Sequence, residues 1–294
     1  MAFLRERLDD RLGGRADFED RIGAPVLSVI PQVSGWRSRE VAKLITIEQP
    51  KSGPAEAYRT LRTSVLFAAN QQGMKSLILA SPSAGEGKTT TAANLAVALA
   101  DAKRRVILVS ADLRKPRIHR FFPGMANDVG LSNVLAGEAK PWEALQDPKV
   151  ENLRVMASGP VPGRPAELLQ SEQMGELLAE LQEVADFIII DSAPVLVVSD
   201  CLALVPLVDG VLFVADSETT PGTAVSQARE QLEQVGATVI GAVLNNFDPA
   251  RARGYGYYQY GGYRYRYGAY SYGYTSNEDS DKGRARQAVG RRRG

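Results

Sequence analysis

Six short, almost continuous apolar runs mark the middle of the chain: KSLILAS (75–81), RVILVSAD (105–112), LRVMAS (153–158), DFIIID (186–191), GVLFVAD (210–216) and VIGAVLN (239–245). Runs without polar alternation suit strands covered on both faces. Between them, apolar residues recur at helical spacing over 90–100, 166–184 and 223–235. An earlier stretch, PAEAYRTLRTSVLFAAN (54–70), reads as a further helix with Pro54 near its start. Leu61, Val65 and Ala68 form its apolar stripe, and Glu56, Arg59 and Arg62 lie away from it. Alternation of strand and helix predicts an α/β fold with a doubly wound, mostly parallel sheet. Right-handed crossovers put the strand carboxyl ends along one edge, where ligands bind.

The pattern changes at both ends. Residues 1–45 join a charged start, expected to be helical, to APVLSVIP, a short apolar segment between prolines. Residues 46–248 contain the alternating region. Residues 249–294 have almost no aliphatic side chains: they are Gly/Tyr-rich, then acidic (NEDSD), then basic (GRARQAVGRRRG). Such a segment buries too little apolar area to fold alone, so a disordered tail is expected. Ten of the eleven tyrosines lie in it: Tyr255, Tyr257, Tyr258, Tyr260, Tyr263, Tyr265, Tyr267, Tyr270, Tyr272 and Tyr274.

Composition narrows the function classes. Net charge over 294 residues is +1, so no nucleic-acid partner is expected from electrostatics. The single cysteine, Cys201, and single histidine, His119, exclude a disulfide framework and a Cys/His zinc cluster, and suggest a reducing compartment. Cys201 sits in an apolar helical stretch and reads as core; His119, lacking a Ser or Cys partner, reads as surface or loop. No apolar run reaches bilayer length, and the charged first residues lack the apolar region of a signal peptide, so a cytosolic chain is expected.

The candidate chemistry is in SPSAGEGKTTT, residues 81–91. Gly87, Lys88 and Thr89 match the end of the phosphate-loop pattern, while Pro82 stands where its first glycine should be. Gly85 and Gly87 keep the turn clear, so the backbone N–H groups of Gly85, Glu86, Gly87, Lys88, Thr89 and Thr90 can face a β-phosphate at a helix N-terminus. Lys88 then bridges the β- and γ-phosphates and the Thr89 hydroxyl ligates Mg²⁺. A glycine-rich turn with a chance lysine is the bland alternative; the preceding strand and following helix argue against it. Asp191, ending DFIIID, fits a carboxylate that holds Mg²⁺ through water, and Asp112 ends a second strand expected beside the loop's own strand. A lone aspartate at a strand end is usually a turn residue; two beside such a loop point to metal binding.

With these motifs in order, the chain resembles the bacterial tyrosine kinases. The resemblance rests on ASPSAGEGKTT, VILVSADLRKP, GLSNVLAGE, FIIIDSAPVLVVSD, GAVLNNFD and the tyrosine-rich tail, over about residues 20–275. It implies a P-loop NTPase fold of the MinD/ParA type and an ATP-dependent, Mg²⁺-dependent tyrosine autokinase of capsule and exopolysaccharide synthesis and export. By position, Lys88 and Thr89 are its Walker A residues, Asp112 its Walker A′ acid for Mg²⁺ and hydroxyl activation, and Asp191 its Walker B carboxylate. Glu56, Arg59 and Arg62 resemble the motif through which subunits assemble into a homo-oligomeric ring, and Asn245 resembles an adenine contact. The family's A′ motif carries two aspartates, and here it reads Ser110-Ala111-Asp112. The chain's start resembles the juxtamembrane segment of fused members, which implies a membrane co-polymerase or activator as partner and a place at the inner face of the cell membrane.

The tail then supplies phosphoryl acceptors, and phosphorylation in trans is expected. Each phosphate adds about −1.5 to −2 charges, so full modification of ten tyrosines outweighs the net charge and is expected to loosen the ring. Two rivals stay open. A MinD/ParA-like ATPase carries an extra loop lysine, where this chain has Ser83-Ala84-Gly85. A nucleotide-dependent scaffold with little kinase activity is the other, kept open by Ser110. A low-complexity tail that merely self-associates is the bland reading of the tyrosines.

Overall fold

The computed structural model describes residues 12–33 and 42–248, all within one compact unit, Met1–Pro249. The tyrosine tail, the segment 249–294 and the first eleven residues lie outside the described residues.

The six apolar runs become strands β2 (Ser76–Ala80), β3 (Val106–Ser110), β5 (Leu153–Met156), β6 (Phe187–Asp191), β7 (Gly210–Asp216) and β8 (Val239–Phe247). Two edge strands join them, β1 (Val26–Pro31) and the two-residue β4 (Leu145–Gln146). The order across the sheet is β1-β8-β7-β2-β6-β3-β5-β4, parallel except for the β4–β5 pair. The segment APVLSVIP supplies β1, whose burial alternates as an edge strand's should, whereas β2, β3, β6 and β7 are buried throughout.

Because side chains alternate across a strand, the runs feed two cores. Leu77, Leu79, Leu108, Ile189 and Leu212 face α2 (Gly53–Gln72) and α3 (Lys88–Asp101). Ile78, Val109, Ile188, Ile190 and Phe213 face α1 (Arg15–Ile22), α4 (Glu172–Val184) and α5 (Gly222–Gln234). This is the doubly wound arrangement that alternation predicts.

Four details differ from the sequence reading. The pattern over 166–184 is two helices, Pro165–Leu169 and α4, with Ser171 at the break as the N-cap residue of α4. The buried stripe of α2 runs through Ala55, Tyr58, Leu61, Val65 and Ala69; Ala68 is only partly buried, since 3.6-residue periodicity carries the stripe from 65 to 69. Strand β3 does not adjoin the loop strand β2, because β6 lies between them. The β3 strand also ends at Ser110, leaving Asp112 in the following turn. Ser52 caps α2, accepting from the Ala55 amide at 3.3 Å with Pro54 in the first turn. Among the described residues no helix is long and apolar enough to cross a membrane.

Candidate functional site

The carboxyl ends of β2, β6, β3 and β8 open onto one cavity of about 670 Å³. Gly85, Glu86, Gly87, Lys88, Thr89, Thr90, Asp112 and Asn245 line it.

Its floor is the loop from Ser81 to Gly87. The amides of Val195 and Leu196 donate to the Ser81 and Pro82 carbonyls at 2.9 and 3.2 Å, tying the loop to the segment after β6. Gly85 and Gly87 have φ of +88° and +90°, the left-handed region that favours glycine. At Gly87 space is also closed, since a Cβ there would sit 2.0 Å from Asn245 Nδ2. That amide donates to the Glu86 carbonyl at 3.0 Å. Beneath, the buried Glu86 carboxylate accepts from the Asp216 amide at 2.6 Å and from the Thr220 hydroxyl. Burial raises its pKa, opposed by those two bonds. Glu86 therefore pins the loop to the end of β7, while its amide stays with the glycines above. No side chain caps α3, and Thr91 is the first amide to bond back, to the Gly87 carbonyl at 2.8 Å, so the Lys88, Thr89 and Thr90 N–H groups at its start have no intrahelical acceptor. Open donors at a helix start form a ready anion site.

Lys88 is buried, and its Nζ lies 3.9 Å from Asp191 Oδ1. Asp191 is 1% exposed, and neither of its carboxylate oxygens has a hydrogen-bond partner. Burial pushes its pKa up to about 6; Lys88 and the nearby Thr89 hydroxyl, which falls short of hydrogen-bond geometry, oppose the rise, and Asp112 adds to it. Across the β3–β6 pair Ser110 stands in register with Asp191, and its buried hydroxyl is also unpartnered. Three orphaned oxygens side by side are costly unless a ligand completes them. Asp112 is half-buried, and its Oδ1 accepts from the Arg114 and Lys115 amides at 3.2 and 3.0 Å. Among the described residues no group of three His, Cys, Asp or Glu forms a metal cage. The donor set here, one hydroxyl and two carboxylates, instead suits a Mg²⁺ that keeps waters and shares phosphate oxygens. Thr89, Asp112 and Asp191 are the residues that fit it.

The structure thus gathers Lys88, Thr89, Thr90, Asp112 and Asn245 around one space, with Asp191 behind Lys88. Glu56, Arg59 and Arg62 lie elsewhere, off the buried face of α2, with Arg59 Nε 2.6 Å from Glu56 Oε2. The ten tail tyrosines are outside the described residues. Several contributors were not singled out from sequence. Tyr58, the remaining tyrosine, is buried against the cavity wall. Arg114 makes a two-bond pair with the fully buried Asp200, at 2.8 and 3.0 Å. Lys115, Arg117 and Arg120 edge the same cavity. A run of cations was visible in LRKPRIHR, but nothing in the pattern tied it to the loop. Cys201 is buried in a short helix, Asp200–Leu204, and His119 is partly buried in the turn Ile118–Phe121, where burial lowers its pKa.

An AAA domain family matches residues 74–242. The tyrosine-protein kinase YwqD of Bacillus subtilis is 40% identical over 221 residues, covering 75% of this chain and 93% of that one. The putative tyrosine-protein kinase CapB of Staphylococcus aureus is 33% identical, covering 74% and 95%. Among solved structures, the kinase domain of the Escherichia coli tyrosine kinase ETK superposes with a TM-score of 0.76 at 29% identity, covering 83% of this chain and 97% of that domain.

Proposed function

This chain belongs to the bacterial tyrosine kinases, and we propose that it moves the γ-phosphoryl group of ATP, with Mg²⁺, onto its own tail tyrosines in trans. The observation that carries the reading is the unpartnered, buried Asp191 carboxylate, 3.9 Å from Lys88, behind an uncapped helix start. That combination holds phosphate and a cation together.

The residues divide the work as follows. The amides of Gly85 to Thr90 cradle the phosphates, and Lys88 neutralises charge on the transferring group. Thr89, Asp112 and Asp191 would hold the metal, which would supply charge neutralisation to the phosphates when bound. Asp112 faces the cavity, so it is placed to receive the phenolic proton. The tyrosine oxygen bonds to the γ-phosphorus, the bond from that phosphorus to the β–γ bridging oxygen breaks, and the nucleoside diphosphate leaves with the electron pair. Asn245 is held beside the loop by its bond to Glu86, at the edge of the nucleotide space. Glu56, Arg59 and Arg62 form the ring contact, a role supported by their position on the open face of α2. The division into a segment 1–45, a kinase domain 46–248 and a tail 249–294 belongs to this reading, as do a membrane co-polymerase partner and a role in capsule or exopolysaccharide export at the membrane's inner face.

The test is the intact mass of the dephosphorylated chain after incubation with ATP and Mg²⁺, beside Lys88→Met. A ladder of single-phosphoryl steps on the wild type only is expected, with fragmentation placing it between Tyr255 and Tyr274. Nucleotide turnover without any phosphotyrosine would instead favour an ATPase or scaffold.

A further inference from the structure

The nucleotide cavity has a second charged feature that the transfer step leaves unused. After Asp112 the chain runs along the cavity mouth and sets Lys115, Arg117 and Arg120 there, all exposed. They form no ion pair among the described residues. Their neighbour Arg114 differs, because its guanidinium is held by the buried Asp200. His119 carries its charge less readily than a free histidine, since burial and the neighbouring Arg120 both lower its pKa. The mouth therefore presents three uncommitted cations, two with the planar fork that suits a phosphate dianion.

An unmodified tail does not suit them. Residues 249–294 contain ten Lys or Arg and three Asp or Glu, a formal charge of +7. Like charge disfavours that segment at a cationic mouth. One phosphotyrosine changes this locally, adding about −1.5 to −2 charges and three strong acceptor oxygens. The tyrosines are spaced so that this matters: Tyr263, Tyr265 and Tyr267, then Tyr270, Tyr272 and Tyr274, recur every two residues. In extended chain two residues span about 6.6 Å, so a phosphate held at the mouth keeps the next tyrosine beside the same cavity.

We propose that Lys115, Arg117 and Arg120 form a phosphotyrosine subsite, which makes a tail already carrying one phosphate a better acceptor than an unmodified one. The ligand is a phosphotyrosyl segment presented by a second copy of this chain. The inference rests on the kinase reading above, and it makes modification self-accelerating along the cluster: the first phosphate is slow and later ones are faster.

The first experiment needs no turnover. Phosphatase-treated full-length chain is titrated, without nucleotide, against three fluorescein-labelled peptides: residues 261–276 unmodified, the same peptide phosphorylated at Tyr267, and residues 270–282 unmodified, which carries the acidic NEDSD. Expected is a phosphopeptide affinity at least about tenfold above that of either unmodified peptide, weakening with salt. In the combined Lys115→Ala, Arg117→Ala, Arg120→Ala variant, and partly in each single one, that ratio falls toward one. Equal binding of phosphorylated and unmodified peptides overturns the proposal. So does equal binding of the NEDSD peptide, which would mean the mouth reads general acidity, or a ratio that survives the combined substitution. The second experiment follows phosphate incorporation with time: a lag that the phosphopeptide's acceptor advantage explains, and that the combined variant loses, is expected. Phosphopeptide binding with no incorporation anywhere would sink the kinase reading and leave the subsite standing.

Discussion

Replacing Asp191 with asparagine should stabilise the unliganded chain. Burial raises the Asp191 pKa from 3.8 to about 6, although Lys88 lies 3.9 Å away, so desolvation outweighs that attraction. A shift of about two units corresponds to about 3 kcal/mol of cost for holding the charged form in the fold. The sign follows from linkage. A carboxyl whose folded pKa is raised favours the fold while protonated, below about 4, and that contribution is lost as pH rises through about 6. Asparagine has nearly the shape of the protonated carboxyl and never ionises. Asp191→Asn should therefore exceed the wild type by up to about 3 kcal/mol near neutral pH, or up to roughly 10 °C in melting temperature for a domain of this size, and should lose the advantage near pH 4. Melting of both proteins without nucleotide, across that range, is the assay. Mg²⁺ with nucleotide should reverse the order, because only the wild type offers a carboxylate to the ion. A variant that melts at or below the wild type at neutral pH, or a gap that does not narrow with acid, would refute the reasoning.

Gly87→Ala should weaken nucleotide binding and stability together, because its Cβ meets Asn245 Nδ2 at 2.0 Å with φ at +90°. Adding Asn245→Ala removes the clash but not the backbone strain of about 1–2 kcal/mol, so calorimetric titration and melting should show partial recovery only. Arg114→Ala should cost more than Asp200→Asn, because it leaves a fully buried carboxylate unpaired; about 1–3 kcal/mol is expected for the former, read from denaturant midpoints, and the reverse order would count against the pairing argument. Ser110→Asp would place a second buried carboxyl in register with Asp191. The unliganded variant should melt lower at neutral pH than in mild acid, with Mg²⁺ and nucleotide restoring it, and a pH-independent melting temperature would contradict this.

Hydrophobic patterning by itself determined the six central strands, their two-sided burial and most helices of the α/β alternation, because strands covered on both faces need unbroken apolar runs and helices an apolar stripe at 3.6-residue spacing. The loop was equally legible: Gly85, Gly87, Lys88 and Thr89 are local chemistry on adjacent residues. What only the tertiary structure decided is how residues far apart share work. Three aspartates stand at or just past strand ends, and the apolar pattern alone does not rank them. In the fold Asp191 is buried and unpartnered behind Lys88, Asp112 faces the cavity from a turn, and Asp216 accepts from the Glu218 and Thr219 amides while its own amide binds Glu86. Strand order makes the difference, since β6 rather than β3 adjoins β2 and so carries the carboxylate that meets the loop lysine. The same long-range pairing joins Arg114 to Asp200 and brings Lys115, Arg117 and Arg120 to the nucleotide cavity, a placement that no local pattern contains.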